Sequence, residues 1–316
     1  MKKICIVLAV VCFLTGGLLE AELEISGFVD SKLSGQQGEK SSFEMGAFEI
    51  DLASKFSDKV SFEGAVVVEG ETVGLGQTLV DVNLLKEDYL HLQVGLLDIP
   101  FGIDYQVFAT PDRKLVSAPL TTELMMDGGW GDIGINLCGS ISKFNYNLYG
   151  VNGMGEDEGV PVNQLADNNN AKTVGGRIGV LPKEDVEIGF SYTQGPYLDD
   201  NTEDILSRAG VDIQASYKII KLKGEYIAGE EEIPEAQVNK HDGYYVELLG
   251  NITDKLYGVA RYGSWKPKDG DGQTRLTLTV GYDLLENVSI RTEYQINQEK
   301  PEVDNNLFTS QIVISF

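Results

Sequence analysis

From residue 22 onward the chain repeats one pattern, in which about ten residues of alternating apolar and polar side chains are followed by a break. Residues 275–282 show it clearly, since every second position is apolar: Leu276, Leu278, Val280 and Tyr282. Side chains on a β-strand alternate between two faces, so each segment has one apolar face and one polar face. No helical periodicity of comparable strength occurs after residue 21. The pattern predicts an all-β protein.

Sixteen such segments follow one another, starting near residues 22, 43, 58, 77, 88, 131, 142, 171, 184, 209, 220, 241, 255, 271, 286 and 306. Short turns are expected at 57–58, 86–87, 142–143, 183–184, 221, 253–254 and 286–287, and longer loops at 34–42, 70–76, 98–130, 152–170, 195–208, 229–241, 266–272 and 298–305. Strict alternation of short and long connections is typical of a transmembrane antiparallel β-barrel, with the short turns on the periplasmic side. We therefore predict such a barrel, of about sixteen strands.

The polar faces of these strands are expected to line water. A sheet in hydrocarbon must close on itself, because lipid cannot satisfy free backbone N–H and C=O groups. Sixteen strands enclose a lumen that is too wide for side chains to fill. A soluble secreted β-protein is the alternative, but it has no reason to keep the alternation of connection lengths.

The N-terminus has the layout of a secretory signal peptide. Lys2 and Lys3 precede an unbroken apolar run, Ile4 to Leu14, and Ala21 offers a small residue for cleavage. The run is too short to span a bilayer as an anchor. We expect residues 1–21 to be the signal peptide and residues 22–316 to be the exported barrel.

The charge balance excludes one class of partner. The chain has a formal net charge of −24, which becomes about −25 without residues 1–21. Such an acidic chain does not bind nucleic acid by general electrostatics, and it attracts cations instead. Cys138 is the one cysteine after residue 21, so no intramolecular disulfide is expected there.

The C-terminal strand carries a recognisable ending. Ile312, Ile314 and Phe316 share one face, and the aromatic residue is the last one. This ending is similar to that of bacterial outer-membrane proteins, whose assembly machinery reads a terminal aromatic strand. The similarity implies the outer membrane of a Gram-negative bacterium, with Phe316 recognised by that machinery.

The longest connection, 98–130, resembles the third outer loop of sixteen-stranded porins, which folds inward and narrows the pore. The segments that carry the resemblance read VGLLDIPFGI at 94–103, TPDRK at 110–114, PLTTEL at 119–124 and YGVARY at 257–262. They are similar to segments of phosphate-selective porins and of related siderophore-uptake porins. The resemblance implies a constriction loop, a homotrimer and passage of small hydrophilic solutes. Phosphate specificity does not carry over, because those channels are rich in lysine and arginine and this chain is acidic.

The strand pattern also predicts the charged pore wall. The residues expected to face the lumen are Asp30, Glu49, Asp51, Glu63, Asp81, Arg177, Lys223, Arg261, Arg275 and Arg291. The candidate constriction-loop charges are Asp98, Asp104, Asp112, Arg113, Lys114, Glu123 and Asp127. Loop acids opposite the arginines would set up a transverse field that orients dipolar solutes. The alternative is that these charges pair with one another and only keep the lumen hydrated.

Other classes of function find less support. His91 and His241 are the two histidines, and neither accompanies a serine in a recognisable motif, so we expect no enzyme and no cofactor. The carboxylate runs at 156–158 and 230–232 lie in expected outer loops, where divalent ions would link them to lipopolysaccharide beside the outer-membrane lipids. A substrate-specific transporter for an anion, a sugar or a siderophore remains the alternative function, since it would differ only in lumenal detail.

Overall fold

The computed structural model describes residues 22–107, 109–157, 160–199, 201–233, 237–268 and 270–316. Sixteen antiparallel strands form a closed barrel. They are β1 (Leu23–Gln36), β2 (Ser42–Ser57), β3 (Val60–Glu69), β4 (Thr72–Asn83), β5 (His91–Asp98), β6 (Gly131–Ile141), β7 (Phe144–Val151), β10 (Thr173–Lys183), β11 (Val186–Pro196), β12 (Ile205–Tyr217), β13 (Ile220–Ile233), β14 (Gln237–Asn251), β15 (Leu256–Pro267), β16 (Gln273–Leu285), β17 (Val288–Gln298) and β18 (Leu307–Ser315). The predicted fold class and strand number are confirmed.

Several short elements lie in the connections. β8 (Gly155–Asp157) and β9 (Val160–Val162) pair with each other in a small sheet apart from the barrel. A short helix, α1 (Leu120–Met125), and the 3-10 turns Asp104–Val107 and Thr110–Asp112 lie between β5 and β6. A further 3-10 turn, Lys86–Asp88, lies between β4 and β5. Among the described residues no helix is long and apolar enough to cross a membrane.

The barrel closes where the first strand meets the last. β1 and β18 pair in an antiparallel register that runs from Phe28 opposite Ser315 to Gln36 opposite Leu307. The terminal residue completes the seam, since the backbone N–H of Gly27 donates to Phe316 at 3.1 Å and that of Phe316 donates to Gly27 at 3.0 Å. These bonds satisfy the backbone groups that an open edge would leave exposed.

The outer face of the barrel is apolar. One row that runs across five neighbouring strands consists of Leu248, Ala260, Leu278, Tyr294 and Phe308, which the strand register places side by side. The four large side chains of this row are all exposed. An exposed apolar band around a closed barrel is the surface that contacts lipid.

The inner face is polar and largely buried. Arg177, Asp212, Arg291, Glu293 and Gln311 are almost fully removed from solvent. Buried charged groups require partners, because burial of an unpaired charge costs several kcal/mol. The barrel interior therefore contains a network of contacts in addition to water, and loop residues contribute much of it.

Four predicted connections are wrong in position or length. Residues 70–76 were expected to form a loop, but Gly70, with φ of 59°, allows a two-residue turn and β4 begins at Thr72. The expected loop 229–241 is largely strand, since β13 extends to Ile233 and β14 starts at Gln237. The turn expected at Lys221 lies at 218–219, and the short turn expected at 86–87 is instead a longer connection, 84–90. The alternation of short and long connections is therefore not strict.

Two expectations fall on residues that the structure does not describe. The signal peptide, 1–21, lies outside the described ranges, and so does Glu158 of the first carboxylate run. The second run, 230–232, lies within β13 and not in a loop, and Glu230 forms an ion pair with Lys240.

The seam supplies a first test. We expect Gly27→Ala to destabilise the barrel by roughly 1–3 kcal/mol, as overpacking typically does. A Cβ at Gly27 would lie 2.2 Å from the carbonyl oxygen of Glu49 and 2.8 Å from Cζ of Phe316. The free energy of unfolding in urea measures the effect. Gly150→Ala is the matched control, because no atom lies within 4 Å of its added Cβ. Equal losses in both variants would contradict the role of the seam.

Candidate functional site: the lumen and the loop that crosses it

The connection between β5 and β6, residues 99–130, reaches the opposite wall of the barrel. β15 lies eight strands from β5 in either direction around the ring. The loop nevertheless hydrogen-bonds to Arg261 on β15, and α1 packs against β14 and β15. A segment whose base is at β5 and whose contacts are at β15 spans the full width of the barrel.

The loop first contacts β11 and β13. The backbone N–H of Gly102 donates to Oγ of Ser191 at 2.9 Å. Gly102 has φ of 67°, and a Cβ there would lie only 1.6 Å from a carboxylate oxygen of Glu225. Glycine is the one residue that fits, because it accepts a positive φ and leaves room for the carboxyl group.

Glu293 on β17 holds the middle of the loop. Its carboxylate accepts hydrogen bonds from the backbone N–H of Val116 at 2.8 Å and of Ser117 at 3.2 Å. It also accepts from the hydroxyl of Thr279 at 3.1 Å and from the side chain of Gln295 at 2.9 Å. A buried carboxylate with four donors is fully satisfied, and charge-assisted bonds of this kind are the strong ones.

Two arginines hold the carbonyl groups of the same segment. Arg261 donates to the carbonyl oxygens of Ser117 at 3.0 Å and of Ala118 at 2.7 Å. Arg291 donates to the carbonyl oxygen of Thr110 at 2.8 Å and also to that of Arg113. Together with Glu293 they clamp the backbone of residues 110–118. We call Arg261, Arg291 and Glu293 the loop clamp.

An ion pair fixes the far side of the loop. Nη1 of Arg275 on β16 lies 2.7 Å from Oε2 of Glu123 in α1. Within the loop, Nε of Arg113 donates to the carbonyl oxygen of Val107 at 2.8 Å, and its Nη2 lies 4.0 Å from Oδ2 of Asp104. The loop is therefore tied to β11, β13, β15, β16 and β17 through side chains on the inner face.

Part of the loop packs into an apolar cluster inside the barrel. The cluster includes Ile99, Phe101, Met125, Met126 and Trp130 from the loop, with Met154 from the β7–β10 connection and Tyr197 from the β11–β12 connection. Burial raises the pKa of the Tyr105 phenol, and it raises the pKa of Tyr197 to about 12. Both phenols stay neutral at pH 7 and add no charge. The cluster excludes water from this sector because protein interiors of this kind are close-packed.

Two open spaces remain beside the loop. One, of about 750 Å³, reaches the short turns of β12–β15. Its charged lining consists of Asp104, Asp112, Arg113, Lys114, Lys218, Lys221, Lys223, Glu247, Asp254, Arg261 and Asp283. The other, of about 620 Å³, lies against β1–β5. Its charged lining consists of Lys32, Glu49, Asp51, Glu63, Glu69, Asp98, Arg113 and Arg291. Both are wide enough to hold many water molecules.

The strand register places the ten residues expected in the pore wall on one face. Asp51 lies opposite Ala65 and Arg291 lies opposite Gln311, and both of these partners are buried on the inner face. The four arginines on the later strands are engaged in hydrogen bonds or ion pairs. Arg177 forms a bidentate pair with Asp212 at 2.6 and 3.0 Å and contacts Glu187 at 2.8 Å. Arg261 lies 3.8 Å from Glu247, so pairing accounts for much of the charge on this side.

The acids on the early strands differ from these bases. Within the described part of the chain, no basic nitrogen lies within 4.0 Å of the carboxylates of Glu49, Asp51, Glu63 or Asp98. Asp81 lies 2.6 Å from Nδ1 of His91, and Asp30 accepts a hydrogen bond from Gln311 at 2.6 Å. We call Glu49, Asp51, Glu63 and Asp98 the acidic wall. It faces one of the two open spaces.

One of the loop acids expected opposite the arginines, Glu123, lies against one, and the others have different surroundings. Glu123 pairs with Arg275, but Asp98 is the last residue of β5 and belongs to the acidic wall. Asp127 accepts a hydrogen bond from the backbone N–H of Asn163 at 2.9 Å. Arg113, Lys114 and Asp112 line the open spaces.

Sequence reasoning missed several inner residues: Lys32, Asp212, Glu225, Glu247, Glu293 and Gln311. All of them occupy polar positions of the alternating pattern, so their face was predictable from period two alone. Their roles were not, because their partners come from a loop or from strands distant along the chain. The two histidines lie apart, His91 beside Asp81 and His241 with Nδ1 3.7 Å from Glu231.

The clamp yields a second test. We expect Glu293→Gln to release residues 110–118, because the amide is neutral and replaces one of the two acceptor oxygens with an NH₂ donor. Bonds to a charged acceptor contribute about 1.5–3 kcal/mol, so amide hydrogen exchange in this segment should speed up by roughly tenfold or more. The strands should keep their protection. Glu63→Gln, an acid of the wall, is the matched control. Unchanged exchange in Glu293→Gln would refute the clamp.

Comparison of the sequence with known proteins finds one partial match. No family model matches the chain. An uncharacterized protein of Aquifex aeolicus (strain VF5) is 29% identical over 122 residues, which are 36% of this chain and 28% of that protein, so the chain spans a small part of its relative.

Solved structures match over nearly the whole chain. OmpF of Salmonella typhi, in complex with daunomycin, has a TM-score of 0.71 at 12% identity over 93% of this chain and 97% of that one. The anion-selective porin of Comamonas acidovorans gives 0.70 at 11% identity, over 94% and 100%. A loop-deletion mutant of the Vibrio cholerae outer-membrane protein OmpT gives 0.68 at 14%, over 94% and 99%. The chain has the fold of the sixteen-stranded outer-membrane porins.

Proposed function

We propose that the chain is a porin of the Gram-negative outer membrane, through which small hydrophilic solutes diffuse passively. The observation that carries the proposal is the combination of a closed sixteen-stranded ring, an exposed apolar outer band and open, polar-lined spaces inside. A barrel of this size leaves an aqueous channel. The similarity to solved porins supports it at the level of the fold.

We further propose that residues 99–130 form the constriction. The loop clamp on β15 and β17 supports this, since it ties the loop to the wall opposite its base. The apolar cluster around Met125 and Trp130 supports it as well, because it removes one sector of the lumen from the water path. The solute path then runs through the spaces on either side of the clamped segment.

The acidic wall favours cations. The space beside β1–β5 has five carboxylates and three basic groups in its lining, and the acids of the wall lack a basic partner within 4.0 Å among the described residues. An unpaired carboxylate in a confined space raises the local concentration of cations. The other space has five acids and six bases, so it opposes the preference only weakly.

The space beside β1–β5 also supports a modified form of the transverse field. Acids stand on β2, β3 and β5, while Lys32, Arg113 and Arg291 contribute the positive side. The field therefore runs from the loop and β17 towards the acidic wall, and not from the arginines towards loop acids. Solutes with separated charges would orient across it.

The remaining expectations stay proposals. A homotrimer agrees with the trimeric form of OmpT from Vibrio cholerae, which covers 94% of this chain at 13% identity. Contacts with lipopolysaccharide through outer carboxylates and with the assembly machinery through Phe316 rest on sequence. We also retain the prediction that the chain is not an enzyme.

A third test addresses the channel itself. The refolded barrel in a planar bilayer should show a stable open conductance, and under a salt gradient its reversal potential should have the sign of cation preference. An anionic reversal potential would overturn the selectivity. A folded barrel without conductance would overturn the porin and point to a substrate-specific transporter.

A fourth test locates the selectivity. Combining Glu49→Gln, Asp51→Asn and Glu63→Gln should move the reversal potential towards anions and flatten its dependence on ionic strength, since salt already screens charges beyond about 10 Å at 0.1 M. Glu39→Gln, on an exposed loop outside both spaces, is the control. Equal reversal potentials in the triple variant and the control would remove the acidic wall from the mechanism.

A fifth test uses three single variants, Arg261→Ala, Arg275→Ala and Arg291→Ala. Because each contacts the loop, we expect wider or noisier conductance and not only a shift of selectivity. Conductance that is unchanged in all three variants would contradict both the clamp and the transverse field.

A further inference from the structure

The outer wall has a hollow at β14 and β15. Gly250 and Gly258 lie directly opposite each other on these strands and face outward. A Cβ at Gly250 would have no atom within 4 Å, and one at Gly258 would have nothing nearer than 3.9 Å. The neighbouring outward position on β15 is Ala260, which is also small. Missing side chains at adjacent positions leave a groove in the apolar band.

Large apolar side chains form the walls of this groove. Ile220 and Leu248 flank it on one side, and Leu278, Val280, Tyr294 and Phe308 flank it on the other. Its volume is about 590 Å³. A groove of this depth leaves its lining without contact partners unless a chain fills it, and unfilled contacts lose dispersion energy.

Two lysines and one acid lie in the short turns next to the groove, and two of the three, Lys218 and Asp254, also border the first inner space. Lys218 and Lys255 lie in the two turns that adjoin the groove, 218–219 and 252–255. The Lys218 ammonium lies 5.2 Å from the ring centroid of Tyr217, an exposed residue on the outer face. Asp254 is the acid in the same turn as Lys255. Two ammonium groups and an aromatic ring at the end of an apolar groove match an anionic head group joined to a hydrocarbon chain.

We propose that this groove binds one phospholipid of the periplasmic leaflet, with an acyl chain over Gly250 and Gly258 and its phosphate between Lys218 and Lys255. The inference rests on the proposed function, because only a barrel in a bilayer meets such a lipid. A second copy of the chain would present the acids of its own short turns at this height, so the test below separates the two occupants.

The test fills the groove. Native mass spectrometry of the barrel released from vesicles of phosphatidylglycerol should detect one retained lipid per chain. Gly258→Leu, and separately Gly250→Leu, should weaken retention by about tenfold, as loss of roughly two buried methylene groups would. Gly150→Leu is the matched control, because this glycine also faces outward with no atom within 4 Å of its added Cβ. A combined Lys218→Gln and Lys255→Gln variant should lose preference for phosphatidylglycerol over phosphatidylcholine.

Each other outcome of these experiments leads to a different conclusion. Lipid retained equally by Gly258→Leu and Gly150→Leu would overturn the proposal. Loss of an oligomer in Gly258→Leu alone would assign the groove to a second copy of the chain and would also overturn it. Conductance measured on the same preparations separates failure of the lipid site from failure of the proposed porin function, because groove variants should conduct like the wild type. A wild-type barrel that binds the lipid but does not conduct would refute the porin and leave the lipid site standing.

Discussion

The need to satisfy every backbone hydrogen bond away from water determines the rest of this structure. In hydrocarbon an unpaired N–H or C=O costs several kcal/mol, so the sheet has no tolerated edge and must form a ring. The seam between β1 and β18, completed by the reciprocal bonds of Gly27 and Phe316, provides that ring. Once the ring exists, strand alternation assigns apolar side chains to lipid and polar side chains to the interior. The charged lumen is a consequence of closure.

Side chains on the inner face then hold a long loop inside the wide barrel. The wall supplies donors and acceptors in matched form, since Glu293 accepts backbone N–H groups and Arg261 and Arg291 donate to carbonyl groups of the same segment. Side chains thus replace the strand partners that the loop backbone lacks. Because Arg261 and Arg291 are used as clamps, neither forms an ion pair with the carboxylates of the early strands.

Much of the fold was predictable from the sequence, because the period-two pattern and the breaks between segments are local signals. They identified sixteen strands and the face of residues such as Arg177, Glu49 and Arg291. The errors arose where local composition misled. Residues 70–76 suggested a loop, but from Thr72 onward they are strand. The carboxylates at 230–232 suggested a loop, although the hairpin extends through them. The pairing of Arg177 with Asp212 and of Arg275 with Glu123 depends on contacts distant in sequence, which no local pattern encodes.

The seam has a consequence for how the protein is made. Phe28 pairs with Ser315, so the contact that seals the ring joins residues from opposite ends of the chain. A growing or partly exported chain can form hairpins, but until residues 307–316 arrive it carries two open strand edges, at β1 and at the latest strand to form. Such edges recruit other strands and aggregate. The ring can therefore close only when residues 307–316 are in place beside β1, so the last strand controls when both edges disappear.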